Sequence, residues 1–159
     1  RQYEFSATVC VPTGYVSDST EFRKVSSWRA GHCQPIMTWD ELRALKKDGF
    51  EIIPHSVNHI ALTELVDDYP ELLQCEIRCS KHMLRKELSL DKIEFFSFPY
   101  GAGWGNPRIE QVLSNEGYVG ALKSENQSAD PWTSMSRIPR WQLSSKITPS
   151  MMKSEIDEA

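Results

Sequence analysis

The chain has 159 residues, 40% hydrophobic and 25% charged, with 18 basic side chains against 22 acidic ones. This is the length of one domain that can bury a core, and the composition is that of an ordinary globular protein. A formal net charge of −4 offers no cationic surface for a phosphate backbone and argues against a nucleic acid partner. No apolar run approaches the roughly 18 residues that cross a bilayer, and no secretory signal is legible.

Residues 5–11, FSATVCV, form a short apolar, β-favouring run closed by Pro12, and predict a buried strand. Residues 13–37 have no period and contain Gly14, Gly31 and Pro35, which predicts a long loop. Thr38 with Glu41 three residues on is a capping box, so TWDELRALKKDG reads as a helix with Trp39, Leu42 and Leu45 on its apolar face and Gly49 at its end. FEIIP reads as the next strand. Pro54 is expected to end its ladder, so His55 leaves the strand at its carboxyl end.

A long amphipathic helix is predicted over about 68–89, with Leu72, Leu73, Ile77, Leu84 and Leu88 on its core face and Lys and Glu towards water. IEFFSF (93–98) is a strongly apolar strand. Asn106-Pro107 supplies the cap and first-turn proline of another helix, which Gly117 closes. YVGAL (118–122) and RIPRW (137–141) read as strands, and Thr148-Pro149 begins a final helix. Strands alternating with helices at this spacing predict parallel βα units, whose ligands collect at the carboxyl ends of the strands.

Two segments fall at such ends. HSVNH (55–59) places His55 and His59 four apart. The pair reads either as hydrogen-bonded or solvated histidines in a turn, or as two imidazole ligands of a divalent metal that needs at least one further protein ligand. FSFPYGAGWG (96–105) reads either as an ordinary connection or as a ligand loop, with Pro99 stiffening the backbone, Gly101 permitting close approach, and Tyr100 and Trp104 offering flat faces. The four cysteines, Cys10, Cys33, Cys75 and Cys79, make no dense disulfide framework and lean towards free thiols in a reducing, cytoplasmic compartment. Cys75 and Cys79 lie one turn apart on the predicted helix, and their spacing matches no compact zinc module.

Taken in order, ATVCV, TWDELRALKKDGFEIIPHSVNH, FSFPYGAGWG, EGYVGAL and SRIPRW resemble the polysaccharide deacetylases, also called the NodB-homology family or family 4 carbohydrate esterases, over about residues 5–141. The resemblance implies an irregular (β/α) barrel, with residues 1–159 forming a single, partial domain of this type. It also implies hydrolysis of acetyl groups on a poly- or oligosaccharide, N-acetylated amino sugars foremost, with an extracellular or periplasmic location as the family's alternative. By that resemblance His55 and His59 ligate a divalent metal, Zn2+ by preference. The Tyr100 backbone N–H then helps hold an oxyanion, and Ser56 orients an imidazole or the loop. Pro99, Gly101, Trp104 and Trp132 line the substrate side.

The sequence departs from the family in three places. The opening Asp-Asp pair, which supplies the base and the third ligand, is not found, and the fold is therefore expected to lack its first βα unit. Ser97 stands where many members carry an arginine that steadies the base, and Arg137 is the first candidate to replace it, Arg140 the second. No histidine follows His82, so the late histidine acid is missing or replaced. Trp28 is a candidate sugar platform, His32 a distant candidate for the site, and His82 a solvated helix residue. The competing expectation is a non-catalytic carbohydrate-binding or assembly module on the same scaffold. A metal-stabilised structural domain is the third. Oligomeric state is not legible.

Overall fold

The computed structural model describes residues 7–19, 21–23 and 35–141, together with positions 148, 150, 151 and 154. Five short strands and three α-helices whose bounds are fully described alternate within them. In chain order they are β1 (Thr8–Val11), α1 (Trp39–Lys47), β2 (Glu51–Pro54), α2 (Pro70–Leu88), β3 (Phe95–Ser97), α3 (Pro107–Asn115), β4 (Gly120–Ser124) and β5 (Ile138–Arg140). β1 pairs with β2, and β3, β4 and β5 pair in sequence order, so every ladder between named strands is parallel and the fold is mixed α/β. β2 and β3 run in contact without forming a ladder.

The helices begin where the local chemistry says they should. Thr38 accepts from the Glu41 N–H while the Glu41 carboxylate accepts from the Thr38 N–H, a closed capping box. The Asn106 side chain accepts from the N–H groups of Arg108 and Ile109, with Pro107 in the first turn. The last helix, predicted from Thr148, falls largely outside the described residues, as do residues 5 and 6 of the first predicted strand.

Pro54 ends the β1–β2 ladder as expected: Pro54 opposite Val11 is its last pair, and one further bond, from the His55 N–H to the Val11 carbonyl at 2.9 Å, ties down the residue that leaves the strand. Amides alternate sides along a strand, so if His55 faces β1, the missing donor of Pro54 falls on the β3 side. The sheet splits along that edge.

The core lies between the strands and α1, α2 and α3. Leu42, Leu62, Ile77, Leu84, Phe96, Phe98 and Ile109 are fully buried, and such side chains stabilise the fold by about 1.5–3 kcal/mol each. Phe96 meets Phe98 and Tyr118 edge-on, with centroids 5.7 and 5.6 Å apart. On α2, Leu73, Ile77, Leu84 and Leu88 are buried as expected, but Leu72 is exposed. Glu76, expected to face water with the other charged residues, is instead 1% exposed. The reason lies in the site.

Candidate metal centre

β2 ends by delivering His55 to the carboxyl rim of the strands, where it is buried. Its Nδ1 lies 2.8 Å from the Ser97 carbonyl at the end of β3. A carbonyl can only accept, so Nδ1 carries the proton and Nε2 keeps its lone pair. Burial pushes the pKa of His55 down to about 4, against the Ser97 carbonyl, which favours the charged form; the His59 and Arg140 charges push it lower still. The ring is therefore a neutral donor at neutral pH, oriented by a backbone carbonyl as metal-ligating histidines commonly are. His59 packs its ring edge-on to that of His55, with centroids 4.7 Å apart, and against Tyr100 at 4.6 Å. Three rings thus converge from the two segments singled out in the sequence.

Holding His59 there costs backbone strain. Ser56, His59 and Tyr100 have φ of +62°, +54° and +56°, a region that non-glycine residues rarely occupy. Of the four such residues among those described, these three stand on the two loops; the fourth, Ser89, caps α2. Hydrogen bonds over-determine the strained loop. Ser56 Oγ accepts from the His59 N–H at 2.9 Å, so this serine shapes the loop. Glu76 accepts the N–H groups of Val57 and Asn58, each at 2.8 Å, and the Asn58 side-chain amide at 2.6 Å. Here a buried carboxylate is well satisfied, which explains a charge on the core face of α2.

The segment after β1 grips the loop from the other side. The Thr13 and Gly14 N–H groups donate to the carbonyls of Ser56 and Val57 at 3.1 and 2.8 Å, and the Tyr15 hydroxyl to the Asn58 carbonyl at 2.7 Å. A Cβ on Gly14 would stand 2.8 Å from the Val57 carbonyl oxygen, so only glycine lets the backbones come this close. Sequence reasoning missed both Glu76 and Gly14. The one signal was an acidic residue spaced three from Leu73 and four from Ser80, on the face that those residues bury.

The second loop folds as a single 3-10 turn over Pro99–Gly101, closed by the Gly101 and Ala102 N–H groups rather than by that of Tyr100. Gly101, at φ +68°, lies against β4, where a Cβ would meet the Ser124 nitrogen at 3.1 Å. Pro99 is buried and Tyr100 exposed. Trp104 is 44% exposed, with Lys123 Nζ 4.9 Å and the Arg137 guanidinium 5.7 Å from its ring. Lys123 also pairs with Glu125. Trp132 stands almost wholly in solvent beyond a turn in which Asp130 accepts its backbone N–H. Trp28 and His32 lie outside the described residues, and His82 is exposed on α2.

The two candidate arginines separate. Arg137 is exposed and sits over Trp104. Arg140, on β5, donates from Nη2 to Ser124 Oγ at 2.8 Å and keeps a buried Nε without a partner among the described residues. Its charge reaches His55, and also Cys10, whose thiol is pushed up by burial and held down by Ser97 and Arg140. Of the two arginines, it is Arg140 whose charge acts on His55.

Two adjacent imidazoles, one with its tautomer held by a carbonyl, suit two ligand positions of a borderline divalent ion such as Zn2+. Among the described residues, no group of three or more His, Cys, Asp or Glu side chains is placed to hold a metal.

The sequence matches the family described as polysaccharide deacetylase over residues 1–121. Among solved structures, the chain is similar to the Streptococcus pyogenes deacetylase PplD, solved in complex with acetate, at 19% identity and a TM-score of 0.71, covering 97% of this chain and 60% of that one. It is similar to a de-N-acetylase from Aggregatibacter actinomycetemcomitans at 13% identity and a TM-score of 0.69, covering 97% and 66%. It is also similar to IcaB from Ammonifex degensii at 16% identity and a TM-score of 0.66, covering 98% and 62%. The likeness is one of fold, and the chain spans between three fifths and two thirds of the length of these proteins. No curated protein matches it in sequence.

Proposed function

The chain belongs to the polysaccharide deacetylase family, and we propose that it removes acetyl groups by hydrolysis from a poly- or oligosaccharide, N-acetylated amino sugars foremost. The observation that carries this reading is the convergence of His55, His59 and Tyr100 at the carboxyl ends of β2 and β3, with His55 held neutral and its tautomer fixed by the Ser97 carbonyl. His55 and His59 are the protein ligands of a divalent cation, Zn2+ by preference. When bound, such an ion polarises an acetyl carbonyl and lowers the pKa of a bound water.

The chain's own residues have separate tasks. Glu76, Ser56 and Gly14 hold the histidine loop in its strained form. The Tyr100 N–H, unspent in the turn that follows Pro99, is the donor for the developing oxyanion. Trp104 offers a flat face to a sugar ring, with Gly101 keeping its loop against β4 and Trp132 standing further out. Arg140 takes the positioning role first assigned to Arg137, because its charge reaches His55 and its Nε lacks a partner among the described residues. That unsatisfied Nε supports an acidic group completing the site as third ligand and base, one the described residues do not supply. The two parallel sheets, in contact at β2 and β3, are read as arcs of one (β/α) barrel.

A second reading, a carbohydrate-binding module without catalysis, is favoured by one observation: the described residues assemble only two ligands. One experiment separates the two. The longest natural open reading frame containing this chain, loaded with Zn2+, is expected to hold one metal and release acetate from an acetylated amino-sugar oligomer, and His55→Ala to lose both. A protein that binds the oligomer but releases no acetate favours the module. Metal content and acetate release unchanged in His55→Ala would remove the histidines from the mechanism.

A further inference from the structure

A second constellation lies on α2, separate from the histidines. Cys75 and Cys79 are free and half-buried, with their Sγ atoms 2.9 Å apart. Helix geometry decides what such a pair can do. Side chains four apart on an α-helix have Cβ atoms about 5–6 Å apart, whereas an unstrained disulfide needs about 3.5–4.5 Å. A direct S–S bond would require this turn to unwind. The turn is not at liberty to do so. Glu76 within it is clamped to Val57 and Asn58, and Leu73, Ile77 and Ser80 are buried around it.

A bridging atom reverses that arithmetic. Two metal–sulfur bonds of about 2.3 Å set sulfurs about 3.8 Å apart in a tetrahedral shell. The two side chains reach that span by a small opening of their present contact, with the helix intact. Their half exposure leaves a route in and room for water on the remaining coordination positions. The thiol–thiol hydrogen bond raises the pKa of Cys75, so the pair waits protonated for an ion that displaces the protons.

We propose that Cys75 and Cys79 form a chelating dithiol site for a thiophilic metal ion. On uptake two S–H bonds break, two S–metal bonds form and two protons pass to solvent; nothing is oxidised or reduced. The site does not use the histidine pair and does not depend on the deacetylase reading.

The test is a Cd2+ titration of the reduced protein, followed by the ultraviolet thiolate-to-cadmium charge-transfer band. The band is expected to saturate at one equivalent in the parent protein, in Cys10→Ser, in Cys33→Ser and in His55→Ala. Cys75→Ser and Cys79→Ser, each losing the chelate, are expected to weaken binding by about 100-fold or more. Unchanged affinity in those two variants, or no band at micromolar cadmium in the parent, overturns the proposal. A second measurement needs no variant. Phenylarsine oxide condenses with two thiols, forming two As–S bonds and releasing one water. Intact-mass analysis is expected to show one such adduct, mapped to the peptide that carries both cysteines, and an adduct mapped to Cys10 or Cys33 also overturns the proposal.

Discussion

The two loops that meet at the site are built on opposite principles. The histidine loop is buried at His55 and Ser56 and held by groups from elsewhere: the Glu76 carboxylate from α2, the Thr13–Tyr15 turn after β1, and the Ser97 carbonyl of β3. The Tyr100 loop is shaped mainly by its own backbone, a proline-led turn with glycines at positive φ, and it leaves Tyr100 and Trp104 facing solvent. The first arrangement fixes donor atoms in place. The second presents surface. Strain is tolerated in the first because long-range partners over-determine it, and in the second because glycine removes most of it.

Removing a partner of the first loop is therefore expected to cost far more than trimming the second. The largest effect is expected from Glu76→Ala, which orphans two backbone N–H groups and the Asn58 amide: about 3–5 kcal/mol of stability, read as a shift of the urea midpoint. Glu76→Gln, which keeps the shape and one acceptor, should cost less than half of that. A Glu76→Ala protein within 0.5 kcal/mol of the parent would mean that the loop holds itself.

Next comes acid. His55 is neutral in the folded protein, with a pKa of about 4, against an ordinary value of 6.5 when unfolded. The unfolded chain therefore binds the extra proton first. The stability contributed by the neutral ring is fully present above pH 6.5 and is lost as pH falls through that value towards 4. At about 1.4 kcal/mol per unit, the loss reaches roughly 3 kcal/mol in the metal-free protein. The readout is the difference in pH slope between the parent and His55→Asn, measured by urea unfolding. Parallel slopes would show that burial is not depressing this ring.

Two smaller changes probe the second loop. Gly101→Ala forces a Cβ against the Ser124 nitrogen at φ +68°, whereas Gly105, at φ +76°, has nothing within 4 Å of such a Cβ. Gly101→Ala is therefore expected to cost about 2–3 kcal/mol and Gly105→Ala about 1 kcal/mol, by thermal or urea unfolding. Equal costs would mean that the approach to β4 adds nothing. Smallest of all, Trp104→Ala should change stability by no more than about 0.5 kcal/mol. It should weaken oligosaccharide binding by about fivefold, measured calorimetrically. Undiminished binding would take Trp104 off the sugar face.

What could be read directly from the chain was whatever depends on near neighbours. The Thr38–Glu41 capping box, the Asn106-Pro107 helix start and the apolar IEFFSF run are local choices; both helices start where the pattern put them, and the run holds the shorter strand Phe95–Ser97. The two loops could be located at strand ends for the same reason, because parallel βα alternation dictates where carboxyl ends fall. Pro54 ends its strand for the same local reason, although which edge its missing donor faces is set by the pairing. Glu76 was misread because a charged residue on a helix normally faces water, and only a loop more than fifteen residues upstream makes its burial favourable.

The sequence by itself determined the elements, their order and the two histidines at a strand end, since periodicity, caps and proline geometry act over a few residues. Only the tertiary structure decided that the His55 tautomer is held by the Ser97 carbonyl, that Arg140 rather than Arg137 reaches it, and that α2 supplies the carboxylate beneath the loop. Those facts depend on distances between segments tens of residues apart, which no local pattern encodes.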